Sequence, residues 1–282
     1  MNKVCIAVPS YRRPKCITPR RIKDCPHDCY LCVRPEEISD YQSVADESNF
    51  RILPMEDVHD IGETRKLIVE KLSAQYEWMF MFDDDIYSIE LLGKHDGKIK
   101  SQRILRGTGE KPSIDNEALA KWLEVAKQND YRFSSVNDRT FNRNDHGFIQ
   151  INKSLGVDTV LLHLPTVLEV GNYKSNAEIG PEDIYIQFKL MQAGYPCAKL
   201  GMIERSSPVD GQTKGGCSDN IYKEGLPACH RKFAEAFRKN VCNDMNLIRI
   251  VHRYKEDPEC GVVALNWKGW GGYKIPCDIP EL

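Results

Sequence analysis

Trp78-Met79-Phe80-Met81-Phe82 passes without a break into Asp83-Asp84-Asp85, and this junction constrains the fold more than any other stretch. Five bulky apolar residues in a row do not suit a half-exposed strand. They suit one buried on both faces, as in a parallel sheet covered by helices. Three adjacent carboxylates cannot continue into such a core, so the strand must end where they begin. On an extended backbone Asp83 and Asp85 would share one side and Asp84 the other. At the carboxyl end of a parallel strand they would face the crevice where open α/β sheets take ligands. Two like charges about 4 Å apart repel by about 4 kcal/mol at an effective dielectric of 20. A divalent cation removes that repulsion, and hard carboxylate oxygens suit Mg2+ or Mn2+. The plainer alternative is an acidic loop satisfied by water and a neighbouring lysine.

The flanking segments agree with an α/β sheet. Strands are expected at Val4–Val8, Tyr30–Val33 and Phe50–Leu53, and Ile61-Gly62-Glu63-Thr64 opens a helix with Ile61, Thr64, Ile68 and Leu72 on its apolar face. Residues 87–113 read as a long polar excursion carrying Lys94, Lys98, Lys100, Arg103, Arg106 and Lys111. An amphipathic helix around Leu119–Ala126 and a strand at Arg132–Val136 follow, then two strands within 146–164. Gly180-Pro181-Glu182-Asp183 opens a helix that runs to Gly194. A further helix with Phe233 and Phe237 on one face follows Pro227, and Leu247–Val251 and Val262–Leu265 precede an aromatic segment, Trp267–Tyr273.

Composition narrows the class. The 282 residues suffice for one large domain, and 39 basic against 41 acidic residues give a net charge of −2, so a nucleic-acid partner would need local basic patches. Pro19–Lys23 and the Lys94–Lys111 stretch are the two available. No apolar run reaches the ~20 residues of a spanning helix, and charged residues follow the first strand too soon for a signal peptide; a cytoplasmic protein without a membrane partner is expected. Eleven cysteines are present. Cys25, Cys29 and Cys32, with Cys16 and His27 nearby, have half the spacing of a zinc knuckle but no matching second pair. Packed, reduced thiols on a strand are the alternative.

Candidate chemistry beyond the aspartates is carried by few residues. Glu182 and Asp183 stand in the first turn of a helix, where acidic side chains also serve simply to complement the dipole. A general base there would have a carboxylate weakened by the helix N-terminus and would need burial to restore it. Arg65 and the Tyr11-Arg12-Arg13 turn can grip a diphosphate through paired donors. His230 and His252 are each available as a late metal ligand. No phosphate loop, nucleophile elbow, dinucleotide fingerprint or zincin motif is present.

In order, "VCIAVPSYRRP", "IGETRKLIVEKL", "FMFDDDI" and "GPEDIYIQFKLMQAGY" resemble a GT-A glycosyltransferase over about residues 3–200. Within that fold, the opening Pro-Ser-Tyr-Arg-Arg-Pro, "IGETRKLI", the aspartate triplet, "LMQAGY" and Ser206–Ser218 resemble the phage TET-associated glycosyltransferases that act on 5-hydroxymethylpyrimidines in DNA. The resemblance implies a GT-A, Rossmann-like α/β fold: a mixed, mostly parallel sheet flanked by helices. A catalytic core would occupy 1–205 and a C-terminal acceptor or lid region 206–282. It further implies Mn2+ or Mg2+ held by Asp83 and Asp85, a site to which His230 could add a late ligand, and a UDP-sugar contacted by Pro9, Tyr11, Arg12, Arg65, Asp83 and Asp84. Asp183 would be the base and Glu182 its orienting neighbour, with 5-hydroxymethylcytosine or 5-hydroxymethyluracil in DNA as acceptor. Two other readings stay open: the same fold acting on a saccharide, lipid-linked sugar or protein, and a metal-dependent nuclease built on the aspartates.

Overall fold

The computed structural model describes residues 3–105, 113–139, 145–153, 158–208, 225–252 and 261–282. Val4–Pro9 (β1) is buried at every position. It is flanked in parallel by Asp28–Val33 (β2) on one side and by Trp78–Phe82 (β4) on the other, and Arg51–Pro54 (β3) lies in parallel beyond β2. All four strands fall within two residues of their expected positions. The far edge of β4 is different: it pairs antiparallel with Thr159–His163 (β9), Phe82 opposite Thr159. Burial on both faces, which the apolar run demanded, therefore comes from a mixed sheet.

Five further strands extend the sheet's main path and form its side branch. They are Ser88–His95 (β5), Lys98–Ser101 (β6), Phe133–Asp138 (β7), Phe148–Ile151 (β8) and Cys197–Ser206 (β10). Ile248–His252 (β11) and Gly261–Leu265 (β12) form a separate pair, and Tyr273–Pro276 (β13) returns to the main sheet. The order is β13-β8-β10-β7-β9-β4-β1-β2-β3, with β5 branching off β10 and β6 off β5. Among the described residues the helices are Thr18–Arg21 (α1), Ile38–Ser48 (α2), Ile61–Leu72 (α3), Gln102–Leu105 (α4), Asn116–Gln128 (α5), Leu164–Glu169 (α6), Asn176–Ile179 (α7), Glu182–Gln192 (α8) and Leu226–Asn240 (α9).

Strand alternation distributes the apolar side chains between two cores. Trp78, Phe80 and Phe82 pack with Tyr41 and Val44 of α2 and Leu119 and Trp122 of α5. Met79 and Met81 pack on the other face with Ile68 and Leu72 of α3, Val167 of α6, Ile184 and Phe188 of α8 and Phe237 of α9. The same alternation separates two cysteines of the zinc reading. Cys29 lies in the first core and Cys32 in the second, both are free, and among the described residues no metal-holding group of three His, Cys, Asp or Glu is present.

The expected excursion at 87–113 holds regular secondary structure among its described residues. β5 and β6 form a hairpin turned by Asp96 and Gly97, both at positive φ, and β5 pairs antiparallel with β10. Two of its basic residues are engaged within the protein: Arg103 with the buried Glu90, and Lys94 with Glu281. Arg106 and Lys111 lie outside the described residues. Among those residues, no helix is long and apolar enough to cross a membrane.

Candidate active site

The site is assembled where β4 ends. Its backbone leaves the extended conformation after Phe82, and three hydrogen-bonded partners fix the turn. Asp83 N–H donates to the Asp158 carbonyl (2.8 Å), Thr18 Oγ1 donates to the Asp83 carbonyl (2.5 Å), and Ile86 N–H donates to Thr18 Oγ1 (2.8 Å). Because the chain turns here, two-residue alternation stops. Asp84 and Asp85 both meet Arg13 Nη1, at 2.8 and 3.2 Å, whereas Asp83 faces Arg65 Nη2 at 3.1 Å. The expected pairing of Asp83 with Asp85 against Asp84 is thus replaced by a split between two arginines.

Exposure separates the three roles. The Asp84 side chain is 5% exposed and the Asp83 side chain 38%. Asp84 accepts from Ser10 Oγ as well as from Arg13, and the Tyr41 hydroxyl lies 2.9 Å from Ser10 Oγ and accepts from Arg13 N–H (2.8 Å). Asp84 therefore ties the turn after β1 to the turn after β4. Asp83 opens to the cleft. Burial raises its pKa, Arg65 opposes the rise, and the charges of Asp158, Asp85 and Asp84 add to it.

The opposite wall is the joined N-termini of α3 and α8. Arg65 Nη1 donates to Glu182 Oε1 (2.7 Å), and Asn176 Nδ2 donates to Glu182 Oε2 (2.6 Å). Asn176 also donates to the Gly180 carbonyl (2.9 Å) and accepts Gly62 N–H (3.0 Å). Burial works against the Arg65 charge, yet Glu182 and Asp83 outweigh it and push the pKa of Arg65 up. Both Glu182 oxygens are thus held within the protein. Asp60 caps α3 by accepting Glu63 N–H (2.9 Å), while its other oxygen accepts Ser175 Oγ (2.6 Å).

Asp183 is next to Glu182 but has different company. Its Oδ1 accepts the Ile184 N–H (2.8 Å), a first-turn bond that favours the anion, as does Arg65. Burial and the Glu182 charge prevail, and the pKa is pushed up to about 7. A carboxylate so poised can take a proton near neutrality. The burial that a base at this helix start would need is therefore present.

The other sequence candidates are placed as follows. Pro9 ends β1, and Tyr11 is half-buried with the Arg34 guanidinium 4.1 Å over its ring and that of Arg12 4.9 Å away. Arg12 is exposed at positive φ, and its N–H donates to Glu37; Arg13 is the arginine that reaches the aspartates. His230 is on α9, and among the described residues it joins no group of three metal-type ligands with Asp83 and Asp85. His252 ends β11. Of Ser206–Ser218, residues 209–218 lie outside the described residues. Trp270 packs edge-on against Phe188 of α8, ring centroids 5.5 Å apart, and donates to the Leu247 carbonyl (2.9 Å); its role is in the core.

Sequence reasoning missed Asp158, which faces Arg205 at 2.6 Å and adds to the negative potential at Asp83. It also missed Asn176 as the clasp between the helices. Only their positions in space single them out. Asp83 and Asp85 offer hard carboxylate oxygens of the kind Mg2+ or Mn2+ take, one or two at a time with phosphate oxygens and water, although among the described residues no group of three metal-type ligands is present.

No family model matches the sequence, and no curated protein matches it either. Solved structures do. S. aureus TarS 1–349, in complex with UDP-GlcNAc, is similar over 83% of this chain and 66% of that one, with 11% identity and a TM-score of 0.50. This chain therefore spans slightly less than two thirds of the length of that relative. A 4-diphosphocytidyl-2C-methyl-D-erythritol synthase from Anaerococcus prevotii matches 83% of this chain and 96% of its own, at 8% identity and TM-score 0.44. GalNAc-T7 with UDP, GalNAc and Mn2+ matches 84% and 51%, at 10% identity and 0.41. The likeness to TarS, with the sheet order above, gives the architecture: a mixed α/β fold of the GT-A, Rossmann-like type seen in nucleotide-sugar transferases.

Proposed function

We propose that this protein is a glycosyltransferase that moves a sugar from a nucleoside diphosphate sugar, a UDP-sugar in the first instance, to an acceptor hydroxyl. The observation that carries the reading is Asp183: a carboxylate with a pKa near 7, at a helix start that Arg65 links to Asp83. Asp83 and Asp85 would hold Mg2+ or Mn2+ with the diphosphate. The ion would supply positive charge against the departing diphosphate. Arg65 and Arg13 steady the acidic turn and add their own charge at that end of the cleft. Glu182, fixed by Arg65 and Asn176, holds α8 so that Asp183 faces the acceptor. Asp183 takes the hydroxyl proton as the oxygen attacks the anomeric carbon, and the bond from that carbon to the diphosphate oxygen breaks.

For the acceptor we propose 5-hydroxymethylpyrimidines in phage DNA, on the strength of the sequence resemblance, with Lys98, Lys100 and Pro19–Lys23 as phosphate contacts. Residues 1–205 would then be the catalytic core and 206–282 the acceptor side, in a host cytoplasm. A saccharide acceptor is favoured instead by one observation: Arg103 and Lys94 of the basic stretch are already paired with Glu90 and Glu281. The test incubates the protein with hydroxymethylcytosine DNA, hydroxymethyluracil DNA and a saccharide panel, each with sugar nucleotides and Mn2+ or Mg2+. Nucleoside mass spectrometry should show a hexose, pentose or amino-sugar gain on DNA. Gain only on a saccharide would overturn the DNA assignment, and DNA cleavage without sugar consumption would favour a nuclease.

A further inference from the structure

One patch of the sheet is polar where a core side chain is expected. β7 and β10 pair in parallel, Phe133 beside Cys197 and Ser135 beside Lys199. Phe133 and Cys197 belong to the core under α8, and Val136 and Leu200 to the opposite one. Alternation therefore puts Ser135, Asn137 and Lys199 on the α8 face. All three are at most 2% exposed. Ser135 Oγ and both side-chain polar atoms of Asn137 nevertheless have no hydrogen-bond partner among the described residues. Leaving a buried polar atom unpaired costs about 1–3 kcal/mol, so three together require an explanation.

Their surroundings supply one. Lys199 lies within the electrostatic reach of Asp145, Arg205, Asp138 and Asp158, and the Asp158 carbonyl receives Asp83 N–H. In the other direction, the Cys197 thiol donates to the Gln187 carbonyl on α8 (3.8 Å), and Gln187 Nε2 donates to the Asp183 carbonyl (2.9 Å). The patch thus adjoins both the residue that would meet the diphosphate and the helix that carries the base. In a glycosyl transfer the sugar ring lies between those two points.

We infer that Ser135, Asn137 and Lys199 form a subsite for the hydroxyls of the transferred sugar, an assignment that rests on the glycosyltransferase reading above. An amide that both donates and accepts, a hydroxyl that does both and an ammonium that donates match a neutral polyol.

The decisive experiment compares wild type with Asn137→Leu, which removes both polar atoms at nearly constant volume, and with Ser135→Ala. Calorimetric titration with Mn2+ present would use UDP, GDP and dTDP and their glucose, galactose and N-acetylglucosamine conjugates. Thermal denaturation of each free protein runs alongside. The subsite predicts that Asn137→Leu binds its sugar nucleotide at least tenfold more weakly, binds the bare diphosphate within twofold of wild type, and melts no lower. Equal losses for sugar nucleotide and bare diphosphate, or unchanged affinity with a lower melting temperature, would overturn it in favour of a buried-water role. A wild type that binds diphosphates but gains nothing from any sugar would overturn the subsite while leaving the nucleotide site intact. Failure to bind any nucleotide would overturn the transferase reading and the subsite with it.

Discussion

An aspartate in the first turn of a helix ordinarily ionises more readily, because the dipole and the free N–H groups favour its anion. Asp183 departs from that expectation because burial and Glu182 act on it more strongly than Ile184 N–H and Arg65. The sign of the consequence is fixed. Its folded pKa of about 7 lies above the ~3.9 of an unfolded chain, so its contribution to stability is complete below the lower value and lost as pH rises through the upper. Asp183→Asn should therefore match wild type in melting temperature near pH 4 and exceed it at pH 8, while transfer falls by about 10²–10⁴-fold. A variant less stable than wild type at pH 8 would contradict the assigned environment. Arg65 should behave in the opposite manner. Arg65→Ala leaves the buried Glu182 charge without its main partner, and chemical denaturation should record a loss of about 3–5 kcal/mol. Asp83, Asp85, Arg65 and Asp183 could be picked out from the sequence because each stands in a short run with its own physical signature. Asn176 and Asp158 could not, since their significance lies in contacts with residues 114 and 75 positions away; Arg13 was legible only as part of the Tyr11-Arg12-Arg13 turn, its contact with Asp84 lying 71 positions away.

At the scale of elements, α3 shows how position outweighs propensity. Replacing a helical glycine by alanine gains about 1 kcal/mol of intrinsic preference. A Cβ on Gly62, however, would lie 2.0 Å from the Lys174 carbonyl oxygen and 3.2 Å from Asn176 Oδ1. Overpacking of this kind costs about 1–3 kcal/mol, and here it also displaces the clasp on Glu182. Gly62→Ala should lower both the denaturation midpoint and the transfer rate; a stabilised, fully active variant would contradict the clasp. The strands β1 to β4 were legible because their apolar runs are unbroken. The β5–β6 hairpin was obscured by its lysines, although Asp96-Gly97, a strong hairpin-turn dipeptide, stands between them. β10 was missed for a physical reason: Lys199, Glu204 and Arg205 lie buried inside it and interrupt its apolar pattern.

At the scale of the whole molecule, the sheet order depends on pairings between distant segments, such as β4 with β9 and β8 with β13. Local periodicity is silent about these, and it was the ordered recurrence of four motifs that pointed to the GT-A arrangement. The distribution of surface charge belongs to this scale too. If DNA is the acceptor, Lys98→Glu with Lys100→Glu should raise the DNA KM several-fold and flatten the dependence of KM on salt. Both lysines are exposed on the hairpin. Unchanged KM and salt dependence would move the acceptor to a saccharide. Chelation of divalent cations should abolish transfer on either acceptor, with activity restored by Mn2+ or Mg2+.

The central claim is that Asp183 takes the acceptor proton in a sugar transfer, and the pH dependence of single-turnover transfer at saturating acceptor tests it most directly. The wild-type rate should rise about tenfold per pH unit on the acid side and level off above a midpoint near the Asp183 pKa of about 7. Asp183→Asn should give a flat profile at least ~10² lower. A wild-type rate that ignores pH through this range, or an Asn variant that keeps the same rising limb, would contradict the account.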